Sequence, residues 1–171
     1  MVDIRIGDSF PGGDFCPFNP LDDVADAFDH QGWDFKRPEP DKIAFEIEGH
    51  WSCYLIWLHR SVQRDMLDCV VRISAKVANQ RRVKAYELLC RVNSQMALGH
   101  FELCADSGML IFRHSLPISA LGSNLGAIED VLKTALDECE RFFPAFQLVL
   151  SGRSSPESAL RAAIFETVGV A

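Results

Sequence analysis

Leu125, Ile128, Val131, Leu132, Ala135, Leu136, Cys139, Phe142, Phe143 and Phe146 recur three and four positions apart. That spacing is one face of an α-helix, held for about six turns. A rod of this length with a single apolar stripe needs a broad apolar surface to lie on, either other helices or a sheet. Pro144 falls near its end, where the missing N–H frees the carbonyl of Glu140 and bends the rod. Gly152 ends the run.

The rest of the chain supplies strands. Ile43, Phe45 and Ile47 alternate with Ala44, Glu46 and Glu48, the period of a half-buried strand. Gly49-His50 makes a turn, and Trp51 to Leu58 is then apolar on both parities. Such a strand is central and covered on both faces, or its second face meets a partner. Residues 59–65 read as a polar loop and Met66 to Ala75 as the next strand. Asp106-Ser107-Gly108 turns a hairpin between His100–Ala105 and Met109–Ser115. Trp33 to Lys36 is a short edge strand stopped by Pro38 and Pro40.

Three more helices complete the pattern. The first starts on an Asn19 cap with Pro20, Asp22 and Asp23 in its first turn, buries Leu21, Val24, Ala25 and Phe28, and stops before Gly32. The second spans Gln80 to Leu98, with Val83, Tyr86, Leu89, Val92 and Met96 on one inward stripe that Ala85 and Leu88 widen, and Gly99 at its C-terminal end. The last opens at Ser154-Ser155-Pro156-Glu157 with capping-box chemistry. The expected order is α-β-β-β-β-α-β-β-α-α, an α+β domain with an antiparallel sheet over residues 19–171. Residues 1–18, rich in Gly, Pro and Asp, read as a flexible leader.

Charge and composition narrow the function. Seventeen basic residues against 24 acidic give a net charge of −7, which disfavours nonspecific nucleic-acid binding. The charge is polarised: −6 over residues 1–31, +5 over 60–91 and −4 over 129–140. That pattern suits pairing with a copy of the chain or steering of a charged partner, and solvated helix faces produce it as well. No apolar run reaches membrane-spanning length and the first residues do not read as a signal peptide, so a cytoplasmic protein without membrane contact is expected. The six cysteines contain no C-x-x-C pair, and five fall in the elements above; they read as reduced structural thiols, with no metal and no cofactor.

No phosphate-binding glycine loop and no H-E-x-x-H occur. Gly122-Ser123-Asn124-Leu125-Gly126 has the order G-S-x-x-G rather than that of a nucleophile elbow, so Ser123 reads as a helix cap. His100 and His114 meet across the hairpin only in a favourable register. Among polar residues on apolar elements, Asn93, Gln95, Gln147 and Arg113 each need a partner if buried. For Arg113 a carboxylate on the long helix, Glu138 or Glu140, would serve. No catalytic residue is assigned.

Several strings together resemble the YbjN family, bacterial domains described as regulators of sensory transduction. They are Asn19-Pro20-Leu21, Gly49-His50-Trp51 with Tyr54, Tyr86-Glu87-Leu88-Leu89 leading to Val92-Asn93, and Leu98-Gly99-His100-Phe101-Glu102-Leu103. Phe112-Arg113-His114, Glu138-Cys139-Glu140-Arg141-Phe142, Pro144-Ala145-Phe146-Gln147 and Glu166-Thr167-Val168-Gly169 continue the likeness to the chain's end. The resemblance implies a fold like that of type III secretion chaperones, with a twisted antiparallel sheet and flanking helices, and a dimeric cytoplasmic protein acting through protein contacts without enzymatic chemistry. Trp51, Tyr54, Trp57, Phe101, Phe112 and Arg113 are the residues expected to meet a protein partner or the second copy of a homodimer. Two other readings stay open: a small-molecule sensor or enzyme with a pocket between the sheet and the long helix, using Arg113 with His100 or His114, and a secretion chaperone proper, whose binding surface the helix from Pro156 onward would cover.

Overall fold

A computed structural model describes residues 19–121 and 125–168. The leader expected over 1–18 and the Gly122-Ser123-Asn124 segment lie outside the described residues. Asn19 caps helix α1 (Pro20–Gln31): its Oδ1 accepts from the N–H of Leu21 at 3.1 Å, and Gly32 closes the helix with φ 71°, where a side chain would be strained. Leu21, Val24, Ala25 and Phe28 are buried, as their spacing requires.

Strands β1 (Phe35–Glu39), β2 (Lys42–Glu48), β3 (Cys53–Ser61) and β4 (Met66–Lys76) follow as an antiparallel meander. Helix α2 (Arg82–Asn93) then leads to β5 (His100–Leu103) and β6 (Met109–Pro117). A short turn of helix, α3 (Ile118–Leu121), precedes the long α4 (Leu125–Leu150) and α5 (Pro156–Val168). The sheet order is β1-β2-β3-β4-β6-β5, with every pair antiparallel. The expected α+β order is therefore present, with α3 added.

Boundaries differ where local chemistry overrides pattern. Strand β3 runs on to Ser61 through the stretch expected as a loop, because Lys42 of β2 pairs with His59 and β4 pairs Leu67 with Arg60 and Met66 with Ser61. Trp51 is left in the β2–β3 turn. Helix α2 stops at Asn93 rather than Leu98: the Asn93 side chain donates to the carbonyl of Phe101 (3.0 Å) and accepts its N–H (2.8 Å), turning the chain into β5. Its buried stripe is Ala85, Leu88, Leu89 and Val92; Val83 and Tyr86 face solvent. The inward stripe expected from Val83 and Tyr86 was thus one residue out of phase in its first turns.

All the long helices lie on one side. Ile43, Phe45, Tyr54, Ile56, Leu58, Leu67, Cys69, Val71, Ile73, Leu110 and Phe112 alternate toward that side and are buried against α1, α2 and α4. Phe101 is the centre of an aromatic cluster, 5.3 Å from Phe112, 6.1 Å from Phe142 and 5.2 Å from Phe146. Each such ring contributes roughly 2–3 kcal/mol by burial. Burial pushes the Cys69 thiol up to about 12 and raises that of Cys139 as well, so both behave as small apolar residues. Helix α5 opens with Ser155 Oγ accepting the N–H of Ser158 at 3.2 Å and packs Ala159 and Ala163 onto α2 and α4. It thickens the helical layer and leaves the other face of the sheet alone.

A latch ties the β2–β3 turn to α4. A Cβ on Gly49 would stand 2.0 Å from Glu140 Oε1 and 2.4 Å from the Tyr54 ring, so only glycine admits the carboxylate here. Glu140 also receives the N–H of Trp51 at 3.5 Å. Burial, and then the Glu140 carboxylate, raise the pKa of the Tyr54 hydroxyl, which has no well-formed hydrogen bond of its own among the described residues. The Gly49-His50-Trp51, Tyr54 and Glu140 strings of the resemblance thus meet at one structural joint.

Candidate functional site

The face of the sheet turned away from the helices is open, and period-two geometry says which residues line it. On β3 these are Cys53, Leu55, Trp57 and His59, opposite in sense to the buried Tyr54, Ile56 and Leu58. The pairing register arranges the face in rows across the strands. One row reads Lys36, Ala44, Trp57, Val70, Arg113, His100. The next reads Glu46, Leu55, Arg72, Ile111, Glu102. A third reads Lys42, His59, Asp68, Ser115. Leu55, Trp57, Val70 and Ile111 are half-buried with no helix above them among the described residues, an apolar centre framed by charge. Between β1 and β3 the face is concave, forming a trough of about 880 Å³ lined by Pro38, Ala44, Leu55 and Trp57 with Glu46 and Glu48.

Polar groups on this face are mostly tied to one another. Asp68, 3% exposed, accepts from Ser115 Oγ at 2.5 Å and from Arg64 Nη2 at 3.0 Å, with His59 Nδ1 at 3.8 Å. The hydroxyl bonds the carboxylate rather than the imidazole, so Ser115, His59 and Asp68 are not in the order of a nucleophile relay. The cluster locks β3, β4 and β6 together. Arg113 makes two bonds to Glu102 Oε1, at 3.2 and 2.9 Å, across the β5–β6 pair. In contrast, Arg72 has no ion pair among the described residues, and Glu46 receives only the Cys53 thiol at 3.9 Å. Burial and then the neighbouring Glu46 and Glu48 carboxylates raise the Cys53 pKa.

The six residues expected to make contacts are not brought together. Tyr54, Phe101 and Phe112 point into the helical layer and are at most 2% exposed. Trp51 is exposed in the turn beside His50, at a ring distance of 4.7 Å. Trp57 and Arg113 share a row on the open face, with Val70 between them. Arg113 therefore points away from α4, and its carboxylate is Glu102, not Glu138 or Glu140. A pocket between the sheet and the long helix that uses Arg113 does not exist. His100 opposes Arg113, whereas His114 is paired with Cys69 and points to the other side, so the two imidazoles do not meet. Burial, and then His100, lower the His114 pKa. Gln95 and Gln147 are exposed. Cys53 and Cys90 are exposed rather than structural, and all described cysteines are free thiols.

Sequence reasoning missed Leu55, Val70, Arg72 and Ile111 as a set, because only register across strands unites them. It also missed a groove of about 370 Å³ between α1 and α4, lined by Val24, Phe28, Trp33, Ile128, Leu132 and Leu136. Trp33 stacks there on Phe28 at 5.2 Å and stays 47% exposed. Among the described residues no group of three or more His, Cys, Asp or Glu is placed to hold a metal ion, and no helix is long and apolar enough to cross a membrane.

An antiparallel sheet with the described helices on one side, and a half-apolar, charge-framed face on the other, defines a two-layer α+β domain. The comparisons carry this to a family. The family model YbjN, described as "Putative bacterial sensory transduction regulator", matches residues 20–148, and the chain belongs to that family. The matched stretch ends within α4, so the Glu166 to Gly169 string is not part of it. The fold is similar to that of a solved structure described as "Crystal structure of YbjN, a putative transcription regulator from E. coli". The two share 10% identity at a TM-score of 0.51, over 69% of this chain and 84% of the other. No curated protein matches the sequence at a significant level. The family description supports a regulatory, non-catalytic role.

Proposed function

We propose that this chain is a regulatory module that acts through protein contacts made on the open face of the sheet, in bacterial signalling or stress regulation. The observation that carries the reading is the apolar centre of Leu55, Trp57, Val70 and Ile111, which no element among the described residues covers. A soluble domain seldom leaves such side chains side by side on a flat surface unless something binds there. Family membership favours regulation over catalysis, and Asp68, Arg113 and Glu102 are engaged in holding strands together rather than turned toward a cleft.

The test is complementation. Deleting the gene is expected to change the host's transcript profile, and the wild-type gene to restore it. A Val70→Glu variant places a charge in the apolar centre without touching the helical layer; it should fold, by circular dichroism and thermal melting, yet fail to restore the profile. Full restoration by that folded variant would overturn the reading.

A further inference from the structure

The local charge of +5 over residues 60–91 has cations of two kinds. Arg60, Arg64 and Arg91 each meet a carboxylate, whereas Arg72, Lys76, Arg81, Arg82 and Lys84 meet none among the described residues. Two of the unpaired five are turned together. Strand β4 ends at Lys76, and the N–H of Val77 donates to the carbonyl of Gly108 at 2.8 Å, which draws the β5–β6 turn under the start of α2. Gly108 is buried there, and the point where its Cβ would stand is 3.5 Å from Arg82 Nη2 and 3.9 Å from Lys76 Cγ. Beside it opens a cavity of about 510 Å³ whose walls include these two side chains, Asn79 and Asp106. Arg81 serves elsewhere: its guanidinium lies on Gly152, at the C-terminal end of α4, whose dipole it complements.

Arg82 is the informative member. It is half-buried, and its Nε is sealed from solvent with no acceptor among the described residues. Holding a cation partly out of water without a counter-charge is unfavourable for the fold by itself, and an anion at its open end offsets that cost. Helix α2 begins at this residue with no side chain capping it and no acid in its first turn, so its positive end adds to the same field. Two cations converging on one point match the double charge and several oxygens of a phosphate better than a single carboxylate. The cavity is also much larger than a phosphate group. Asp106, the one acid on its wall among the described residues, repels the phosphate but accepts from a hydroxyl on whatever carries it. That acid and the net charge of −7 stand against a long polyanion.

The geometry points to a binding site for a small phosphate monoester, with Lys76 and Arg82 on the phosphate, the Asn79 amide beside them, and Asp106 on a hydroxyl of the organic part. The site lies at the end of β4, four residues beyond Arg72, and stands independently of the contacts proposed for the apolar centre.

Titration of the full chain with ribose 5-phosphate, ribose and inorganic phosphate, at about 0.15 M salt, tests it. Ribose 5-phosphate should bind with a dissociation constant below about 1 mM, inorganic phosphate at least about tenfold more weakly, and ribose not measurably. Lys76→Gln and Arg82→Gln should each weaken ribose 5-phosphate at least about tenfold, and Arg82→Lys by less. Lys76 is exposed, so its variant decides the matter even if Arg82→Gln disturbs the start of α2. Asp106→Ala should bring the two dissociation constants together, because it lifts a repulsion from inorganic phosphate and deprives ribose 5-phosphate of its acceptor. No saturable binding of ribose 5-phosphate up to about 10 mM overturns the site, and so does binding that neither Lys76→Gln nor Arg82→Gln changes. Equal affinity of the wild type for inorganic phosphate overturns the monoester as its ligand.

Discussion

Ile111 and Phe112 are neighbours on β6 and belong to different environments. Phe112 points into the helical layer, has no solvent exposure and touches Phe101 ring to ring. Ile111 points to the open face, pairs with Arg72 and Glu102 and is half-buried. The same alternation runs along β3, where Tyr54, Ile56 and Leu58 are sealed while Leu55 and Trp57 are not. One face of the sheet therefore holds the fold together, and the other is turned away from the helices. The two should answer differently to the same kind of damage.

The sharpest contrast is a pair of truncations on adjacent residues. Phe112→Ala removes a ring from the centre of the aromatic cluster and should lower the unfolding free energy by about 3–5 kcal/mol. Ile111→Ala, measured on dilute protein, should cost about 1 kcal/mol or less, because much of what it removes is already in contact with water. Urea titrations with equal slopes for both variants check this. Equal losses at the two positions would mean that the open face is covered within one chain, and the comparison would fail.

Next in size is the joint between α2 and β5. Asn93 serves both backbone groups of Phe101, so Asn93→Ala strips a donor and an acceptor from a residue that is 2% exposed. A loss of about 1–3 kcal/mol is expected, with faster hydrogen exchange at the Phe101 amide before other amides of the sheet. Uniform acceleration across the sheet would show instead that the bond pair acts only through global stability. No counterpart of this joint exists on the open face, where the Ser115–Asp68 and Arg113–Glu102 bonds join strands already paired.

These positions also mark what could be read from sequence. The long helix, the Asn19 cap, the hairpin turn and the strand alternations were legible because each follows from local period or local turn chemistry. The double-parity apolar run from Trp51 to Leu58 correctly posed the question of what lies on the second face of β3. What local signals could not carry is direction in space. Tyr54, Phe101 and Phe112 look like Trp57 in a list of aromatics, yet one residue of strand phase puts them on opposite sides of the sheet. The partner of Arg113 depended on register across the β5–β6 pair, which placed Glu102 nearer than any carboxylate of α4. In α2 only the Val83–Tyr86 end of the expected stripe failed, because the buried face is centred on Ala85 and Leu88, which the pattern placed at its edge.

The smallest effect concerns carboxylates. Glu138 lies on α4 within the covered layer; its Oε2 is buried without a hydrogen bond among the described residues and 3.7 Å from Arg141 Nη1. Burial raises its pKa above the ordinary 4.5, against the lowering effect of Arg141. The folded state thus holds this proton more tightly than the unfolded chain does. The corresponding stability is fully present below about pH 4.5 and is lost as pH rises through the higher folded-state value. Glu138→Gln removes the ionisation, so at neutral pH it should raise Tm by on the order of 1–2 °C. The gain should shrink toward zero as the pH falls below 4.5. Glu46→Gln, at an exposed site on the other face, should shift the monomer's Tm by less than this at neutral pH. Calorimetric scans of both variants at neutral and acid pH measure the difference. A Glu138→Gln gain that persists unchanged into acid would mean that lost burial cost is not its origin, and that the carboxylate on the covered side is as well solvated as the one on the open face.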